Sequence, residues 1–231
     1  MDQQQAENLK AAFDRDGFVI IRDFFDQTTC DEICERAENI LEKQNQKARK
    51  DQFSNVTKGL DRVDDYFKEL LVNGPQVSIL EMLMGKKPEP TTASFFTKDK
   101  NSQEVHPHSD ALEGGVIWVA IDPADKENGC LQFLRGSYKR REEFRHLSAA
   151  SPTDLSEHPD LAEAEMNPGD IVFFYPTTVH WSGPCHDGRI RRGFNCFYVG
   201  DPWKGYSKEQ LMAMKKNASK KKKRPRTPNI F

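Results

Sequence analysis

Along the chain, apolar residues recur first at the three-to-four-residue spacing of helices and later in short runs typical of strands. Within residues 3–14, Leu9, Ala12 and Phe13 recur at helical spacing and predict a short helix. The next apolar run, residues 18–25, is rich in β-branched and aromatic side chains and predicts a strand. The chain is therefore expected to begin with one helix and one strand.

A second helix is predicted over residues 29–48. Thr29 and Glu32 have the spacing of a capping box, which would open this helix. Four residues with small or apolar side chains would share its inner face: Cys30, Ile33, Ala37 and Ile40. The polar stretch over residues 44–58 predicts a loop.

After this loop the pattern changes from helix to strand. Residues 66–84 are apolar at helical spacing and are interrupted by Asn73-Gly74-Pro75, which predicts two helices. Short strand-like runs separated by turn-rich segments follow at residues 92–98, 116–121, 131–134, 171–175 and 193–199. Between them, residues 139–167 form a polar insert that tolerates helix. Helices followed by many short strands predict an α+β fold, an antiparallel sandwich or barrel with a helical cover.

The chain is long enough for one sizeable domain. It has 231 residues, of which 36% are hydrophobic, including fifteen Phe and three Trp that can fill a core. We expect a single domain over residues 1–203. Residues 204–231, which contain the lysine run between Lys215 and Arg226, are expected to form a basic, flexible tail.

Charge and hydropathy argue against two classes of partner. The formal net charge is −2 at pH 7, so nucleic acid is not an expected partner of the whole chain. The N-terminus lacks an apolar signal core, and no run approaches the ~18 apolar residues of a membrane span. We expect a cytoplasmic protein without a membrane partner, or a nuclear one if the basic tail acts as an address signal.

The five cysteines predict neither a zinc site nor a disulfide framework. They are Cys30, Cys34, Cys130, Cys185 and Cys196, and none belongs to a Cys-x-x-Cys pair. Buried free thiols in a reducing compartment are the expected outcome.

Three residues have the chemistry of a metal site. In an extended chain, residues two apart point to the same face, so His108 and Asp110 can present an imidazole and a carboxylate to one ion. His180 follows an apolar strand 70 residues after Asp110. Two neutral imidazoles and one carboxylate leave three octahedral positions open, which suits ferrous iron with a bidentate co-substrate and dioxygen. Zinc would accept the same ligands but gains nothing from three open positions.

An arginine cluster follows the second histidine and leads into a strand. It contains Arg189, Arg191 and Arg192. An arginine held on a strand beside the iron can bind the distal carboxylate of a dicarboxylate through two parallel hydrogen bonds, a fork that lysine does not reproduce.

The chain resembles the phytanoyl-CoA dioxygenase family of 2-oxoglutarate-dependent oxygenases over about residues 13–200. The resemblance rests on motifs whose order and spacing match the family: Asp16–Ile21, His108–Asp110, Trp118–Asp122, Glu127–Leu131, Gly136-Ser137, Pro168–Phe174, His180–Gly183 and Arg191-Arg192.

This resemblance implies a double-stranded β-helix, a jelly-roll or cupin-like fold with N-terminal helices packed on one sheet. It implies Fe(II), 2-oxoglutarate and dioxygen as cofactor and co-substrates, with ascorbate supporting activity in vitro. It assigns the metal-binding and catalytic positions to His108, Asp110 and His180. It assigns co-substrate binding to Arg191, Trp118 and Ser182.

Two arginines remain alternatives to the assigned one. Arg189 has the same strand parity as Arg191 but precedes the strand, and Arg192 should point away if Arg191 points inward. The chain also departs from the family motif at Arg135 and Tyr138, and these two residues are interpreted as reflecting a different substrate.

The resemblance also bears on the reaction. Halogenating relatives replace the carboxylate at the position of Asp110 with a small residue, so its presence favours hydroxylation of a C–H bond, with 2-oxoglutarate converted to succinate. Lys98, Lys100 and Gln103 precede the His-Ser-Asp motif on a predicted loop near the mouth of the site. They could hold an anionic group, which would make the substrate a small polar or anionic metabolite.

Two functions of other classes are alternatives to catalysis. One is a non-catalytic ligand-binding protein on the same scaffold. The other is a nucleic-acid-associated protein that acts through its basic tail.

Overall fold

The computed structural model describes four stretches of the chain, residues 1–44, 56–102, 104–110 and 113–199. Four predictions lie wholly or partly outside them: the basic tail over residues 204–231, the end of the helix over residues 29–48, most of the loop over residues 44–58, and the role of Gln103. The described end of that loop, residues 56–58, forms a strand, so the loop prediction is wrong there. The predicted domain boundary at residue 203 also stays a prediction.

Helices dominate the first 84 residues, as the apolar spacing predicts. The described residues form the helices α1 Gln3–Asp16, α2 Gln27–Gln44, α3 Asp65–Asn73, α4 Pro75–Met84 and α5 Arg141–Phe144, with 3₁₀ turns at Leu60–Arg62 and Ser137–Lys139. A capping box of Asp2 and Gln5 opens α1, and Gly17, at φ 84°, closes it. Within the described parts of the chain, no helix combines the length and apolarity needed to cross a bilayer.

The start of α2 corrects one prediction. The backbone N–H of Thr29 donates to the Asp26 carboxylate at 2.8 Å, so Asp26 caps the helix and Thr29 lies within its first turn. The predicted capping box of Thr29 and Glu32 is therefore wrong. The predicted inner face is confirmed, because Cys30, Ile33 and Ala37 are buried and Ile40 packs against the same core.

Ten strands follow or interleave with these helices in the described residues. They are β1 Phe18–Ile21, β2 Val56–Lys58, β3 Glu89–Lys98, β4 Val105–His108, β5 Gly114–Ala120, β6 Leu131–Leu134, β7 Leu161–Ala164, β8 Ile171–Phe174, β9 His180–Ser182 and β10 Arg191–Val199. All five predicted C-terminal strands are confirmed. The polar insert holds the short helix α5 and also the strand β7, which its composition did not predict.

The strands form two antiparallel sheets. The larger has the order β1-β8-β5-β10-β3-β2 and the smaller the order β4-β9-β6-β7. From β3 onward the chain alternates between the sheets, apart from the hairpin of β6 and β7, which stays within the smaller one. The α+β class with antiparallel sheets is thus confirmed.

The larger sheet has one face under the helices and one face toward the smaller sheet. Helices α1, α3 and α4 contact β1, β3 and β5 of this sheet, so the predicted packing of N-terminal helices on one sheet is confirmed. Along β10 the side chains alternate, with Phe194 and Cys196 in the core under the helices and Phe197 packed in the core between the sheets. This alternation decides which side chains of β10 face the space between the sheets.

The five cysteines are buried and unpaired, as predicted. Burial raises the pKa of Cys30 and of Cys34 to about 11, so both thiols stay protonated at neutral pH. Both lie in the core beneath the helices, which makes them packing residues.

Candidate metal and co-substrate site

A cavity of about 680 Å³ opens between the two sheets. Strands of both sheets line this cavity, so it lies between the sheet faces that carry the predicted motifs. All six residues assigned from the resemblance line this one cavity: His108, Asp110, Trp118, His180, Ser182 and Arg191. The tertiary structure thus brings together residues that lie up to 83 positions apart in the sequence.

The two histidines face each other on adjacent strands. His108 of β4 is the register partner of His180 of β9, and their ring centroids are 4.4 Å apart. The Nδ1 of His108 lies 2.8 Å from the carbonyl oxygen of His106, and the Nδ1 of His180 lies 2.8 Å from that of Thr178. Because each Nδ1 donates to a carbonyl, each Nε2 keeps its lone pair, which is the tautomer of a metal-ligating histidine.

His180 is held in its neutral form. Its side chain is buried, and Phe174 lies against it with a ring-centroid distance of 5.0 Å. Burial first, and the neighbouring His108 ring second, lower the pKa of His180 well below its usual range. A neutral imidazole is the form that binds a metal ion, so no proton has to leave His180 before a metal binds.

Asp110 is the predicted carboxylate of the donor set, and it lines the same cavity as the two histidines. Its backbone N–H donates to the carbonyl oxygen of Pro176 at 2.8 Å, which fixes the chain two residues after His108. Throughout the described ranges, no three His, Cys, Asp or Glu side chains are close enough together to form a ready-made metal cluster. The donor types and the histidine tautomers fit Fe(II), while the assignment of Asp110 as the third ligand stays a prediction.

Arg191 is a buried cation that has no anionic partner among the residues that the structure describes. Its side chain is 4% exposed, and its Nε and Nη1 atoms have no hydrogen-bond partner among the described residues. Its Nη2 lies 3.5 Å from the Ser182 hydroxyl, and its guanidinium lies 5.3 Å from the Trp118 ring centroid. Burial lowers the pKa of Arg191 to about 10, which still leaves it charged at neutral pH.

A buried guanidinium with two unused donors is costly unless an anion binds it. A planar carboxylate offers two oxygens that match the guanidinium fork. The residues at this end of the cavity therefore fit the distal carboxylate of 2-oxoglutarate.

Gly193 is a determinant of the site that the sequence pattern did not reveal. It lies two residues after Arg191 on β10, on the same face of the sheet. A Cβ atom at this position would stand 2.1 Å from Cζ2 of Trp118, so only glycine lets the indole lie across the strand. The sequence signal that could have revealed Gly193 is its position within a strand, because a glycine there often marks the close approach of another group.

The two alternative arginines are engaged elsewhere. Arg192 points to the other face of the larger sheet, where it donates to the carboxylates of Asp122 at 2.7 Å and Glu38 at 2.6 Å. Arg189 is largely exposed and pairs with Asp125 at 2.6 Å. Neither lines the cavity, so the structure favours Arg191 among the three.

Lys98 is not on a loop near the mouth, which corrects a prediction. It is the last residue of β3, it is 4% exposed, and it lines the cavity. Its Nζ donates to the carbonyl oxygen of Ser182 at 3.2 Å and to that of Gly183. Lys100, by contrast, is an exposed turn residue outside the cavity.

Arg135 and Tyr138 do not line the cavity, so their interpretation as substrate-related residues is wrong. Arg135 donates to the Asp16 carboxylate at 3.0 Å, and the hydroxyl of Tyr138 donates to the carbonyl oxygen of Asp14 at 2.5 Å. Both residues tie the end of α1 to the segment after β6. Their departure from the family motif is explained by this packing.

The fold and the residues of this cavity are those expected of the class of 2-oxoglutarate-dependent oxygenases. The family model described as "Phytanoyl-CoA dioxygenase (PhyH)" matches residues 13–193. The chain belongs to this family.

Individual relatives are distant. The "Probable phytanoyl-CoA dioxygenase" of Caenorhabditis elegans is 21% identical over 229 residues, covering 82% of this chain and 73% of the relative. "Phytanoyl-CoA dioxygenase 1" of Oryza sativa subsp. japonica is 29% identical over 149 residues, covering 56% of this chain and 51% of the relative. The chain therefore spans about half the length of the rice protein.

A solved structure has the same fold. The non-heme alpha ketoglutarate dependent carbocyclase SnoK from nogalamycin biosynthesis superimposes with a TM-score of 0.71 at 18% identity, covering 84% of this chain and 85% of that chain. At this identity the likeness shows the common fold.

Proposed function

We propose that this protein is an Fe(II)- and 2-oxoglutarate-dependent dioxygenase. It hydroxylates a C–H bond of a small polar or anionic metabolite and converts 2-oxoglutarate to succinate and carbon dioxide. The observation that carries the proposal is the buried, unpaired guanidinium of Arg191, which shares one cavity with two histidines in the metal-ligating tautomer.

The scaffold of this activity is a double-stranded β-helix. The alternation of β3, β4, β5 and β6 between the two sheets supports it, as does the return of β8, β9 and β10 in the same manner. In this arrangement the motif strands β4 and β9 are neighbours and lie opposite the strands that carry Arg191 and Trp118.

His108, Asp110 and His180 would hold the iron. When bound together, iron, 2-oxoglutarate and dioxygen supply the oxidising chemistry. The carbonyls of His106 and Thr178 fix the rings of the two histidines, so each presents Nε2 without reorientation.

The end of the cavity that carries Arg191, Ser182 and Trp118 would orient the co-substrate. Arg191 offers a planar carboxylate one N–H of Nη1 and one N–H of Nη2, the parallel pair at the end of the guanidinium, while Ser182 and Trp118 contact the guanidinium from two sides. Burial of all three residues keeps water away from this contact, which strengthens the charge pairing. The co-substrate is thereby aligned toward the histidine pair.

The size of the cavity and the polar side chains within its mainly apolar lining support a small substrate with a polar or anionic group. Its volume of about 680 Å³ is within the range of small-molecule sites. Ser94 and Asn195 are register partners on β3 and β10 and present a hydroxyl and an amide to it. Lys58, the register partner of Ser94 on β2, adds a positive charge, which supports an anionic group on the substrate.

The reaction type follows from Asp110. As an iron ligand, the Asp110 carboxylate would take the position that a halide would need, so hydroxylation is the proposed outcome. This step depends on Asp110 binding the metal, which a metal-binding measurement on Asp110→Ala tests directly.

The proposal is tested by oxygen-dependent succinate formation. Purified protein with Fe(II), ascorbate and 2-oxoglutarate is incubated with a library of small polar and anionic metabolites, and succinate is measured. We expect one group of related metabolites to stimulate succinate release several-fold over the protein without substrate, and His108→Ala to abolish it.

A non-catalytic ligand-binding protein on this scaffold gives a different result. It would bind 2-oxoglutarate or a metabolite but release no succinate above the His108→Ala background with any compound. That outcome would contradict the proposed catalysis.

A further inference from the structure

Ser137, from the Gly136-Ser137 motif, is a buried serine that bridges two segments of backbone. It begins the 3₁₀ turn that follows β6, and its side chain is 1% exposed. Its hydroxyl donates to the carbonyl oxygen of Leu134 at 2.8 Å and accepts from the backbone N–H of Val179 at 2.8 Å. A buried hydroxyl that both donates and accepts holds the backbone groups on either side of it.

The Val179 N–H belongs to the same peptide group as the carbonyl that orients His180. That carbonyl is the one of Thr178, whose oxygen lies 2.8 Å from Nδ1 of His180. A peptide group is planar and trans, so its N–H and its C=O point in opposite directions. The Ser137 hydroxyl therefore holds the side of this peptide group that faces away from the imidazole, and it fixes the direction of the Thr178 carbonyl.

Thr178 itself is fixed by two other contacts. Its backbone N–H donates to the carbonyl oxygen of Tyr175 at 2.9 Å, and its hydroxyl donates to that of Gly17 at 3.0 Å. These bonds hold the backbone and side chain of Thr178, whereas Ser137 holds the plane of the peptide group that follows. The two sets of contacts together leave the Thr178 carbonyl with one direction, toward His180.

The peptide group that orients His108 cannot be held in the same way. The Nδ1 of His108 lies 2.8 Å from the carbonyl oxygen of His106, and the residue after His106 is Pro107. Proline has no N–H to donate, and its ring restricts its own backbone rotation. A serine contact of this kind therefore acts on His180 alone of the two histidines, which makes His108 an internal reference.

We propose that Ser137 is a positioning residue for His180, acting through the Thr178–Val179 peptide group. Its hydroxyl keeps the Thr178 carbonyl directed at Nδ1 of His180. The imidazole proton then stays on Nδ1, and Nε2 stays free for a metal ion. This inference rests on the proposed function, because it takes His180 as a metal ligand.

The first test locates the imidazole protons in metal-free protein. Wild type and Ser137→Ala are labelled with ¹⁵N at histidine and compared by NMR at pH 8, with His108→Ala and His180→Ala to assign the two signals. In the wild type we expect both histidines to carry the proton on Nδ1. In Ser137→Ala, part or all of the His180 proton should move to Nε2, while His108 keeps its tautomer.

Iron binding is the second readout. Anaerobic Fe(II) titration should give an affinity about 10- to 100-fold lower for Ser137→Ala than for the wild type, the usual effect of removing an outer contact of a metal-ligating histidine. Tyr138→Phe is the matched control, because it removes from the same 3₁₀ turn a hydroxyl that donates to the carbonyl oxygen of Asp14. It should lower Tm, as Ser137→Ala does, but leave the His180 tautomer and the Fe(II) affinity unchanged.

Three results would overturn the inference. In the first, Ser137→Ala lowers Tm but keeps the wild-type His180 tautomer and Fe(II) affinity, so that Ser137 has a structural role only. In the second, the tautomers of His108 and His180 change together, which indicates a general disturbance. In the third, His180 of the wild type already carries its proton on Nε2.

A second variant serves if Ser137→Ala does not fold. Ser137→Cys keeps a side chain of similar shape but offers only a weak donor and a weak acceptor, so the same shift at His180 is expected. Failure of the wild type to bind Fe(II) would overturn the proposed function. The tautomer comparison needs no metal, so it decides the role of Ser137 separately.

Discussion

The indole of Trp118 lies across the backbone of Gly193, in the space that a side chain at position 193 would occupy. A Cβ atom there would be 2.1 Å from Cζ2 and 2.2 Å from Cε2 of the ring. The same indole lies beside Arg191, with 5.3 Å between the guanidinium and the ring centroid. The absence of a side chain at position 193 of β10 therefore determines the position of the Trp118 ring beside Arg191.

Gly193→Ala should displace Trp118 and disturb the position of Arg191. We expect a loss of about 1–3 kcal/mol in the free energy of unfolding, typical of overpacking, and roughly tenfold weaker 2-oxoglutarate binding. Thermal unfolding and calorimetric titration measure the two effects. In the Gly193→Ala background, Trp118→Leu should restore stability because it removes the clashing ring. A double variant less stable than Gly193→Ala alone would argue against the clash.

His108→Ala should remove metal binding without unfolding the protein. A site that loses one of three protein ligands is expected to bind Fe(II) at least about 100-fold more weakly. His106→Ala is the matched control, because His106 contributes only its backbone carbonyl to the site and its side chain lies outside the cavity. Anaerobic Fe(II) titration followed by calorimetry compares the variants, and equal affinities would contradict the ligand assignment.

Arg191→Met and Arg192→Met should have opposite effects. Arg191→Met is expected to weaken 2-oxoglutarate binding by about 2–4 kcal/mol while leaving stability unchanged or raised, because it removes an unpaired buried charge. Arg192→Met breaks contacts to Asp122 and Glu38, so it should lower stability and leave co-substrate affinity intact. Unfolding and binding measured on both variants test this reversal. Loss of 2-oxoglutarate binding in Arg192→Met with affinity retained in Arg191→Met would transfer the role to Arg192.

Asp170→Asn should make the free energy of unfolding less dependent on pH in the acid range. The Asp170 carboxylate is 1% exposed and accepts from Arg22 at 2.7 Å and from the backbone N–H groups of Asp23 and Asn167 at 2.9 Å. Burial alone would raise the pKa of Asp170, but these donors outweigh it, and the pKa is lowered. A lowered folded-state pKa contributes stability above the unfolded value of about 4, and this stability is lost as the pH falls further.

The measurement for Asp170→Asn is urea unfolding between pH 7 and pH 3. We expect a deficit of about 2–4 kcal/mol at pH 7 that shrinks as the pH falls below the unfolded-state pKa of about 4. Glu157→Gln, a change at an exposed position, is the control and should follow the wild type. A deficit that is the same at both ends of the pH range would show that the charge of Asp170 is not what stabilises the turn.

Local pattern predicts most elements, whereas the family resemblance assigns the residues of the site. Apolar spacing predicts α1 to α4 and the strands β3, β5, β6, β8 and β10, because burial of one face imposes the period of each element. Strand parity predicts that Arg191 and Arg192 face opposite ways, and β10 has this arrangement. The strands β2, β4, β7 and β9 were missed because they are three or four residues long and carry polar residues that face the cavity or solvent.

Capping and loop contacts were predicted less well. Thr29 and Asp26 are both good capping residues, and only the geometry of the turn before α2 selects Asp26. The sequence pattern predicts that Lys98 is a charged residue on a loop. Its burial follows from the extension of β3 to pair with Arg191, a contact between residues 93 positions apart.

The sequence by itself determined the donor types, their order and their attachment to strands, because residue chemistry and periodicity are local properties. Only the tertiary structure decided that Arg191 is unpaired, that Lys98 stands beside it, and that Trp118 needs Gly193. It also decided the irregular register between β4 and β9 that sets His108 opposite His180. These relationships join strands that are distant in the chain, and they depend on sheet order and register, which local side-chain pattern does not encode.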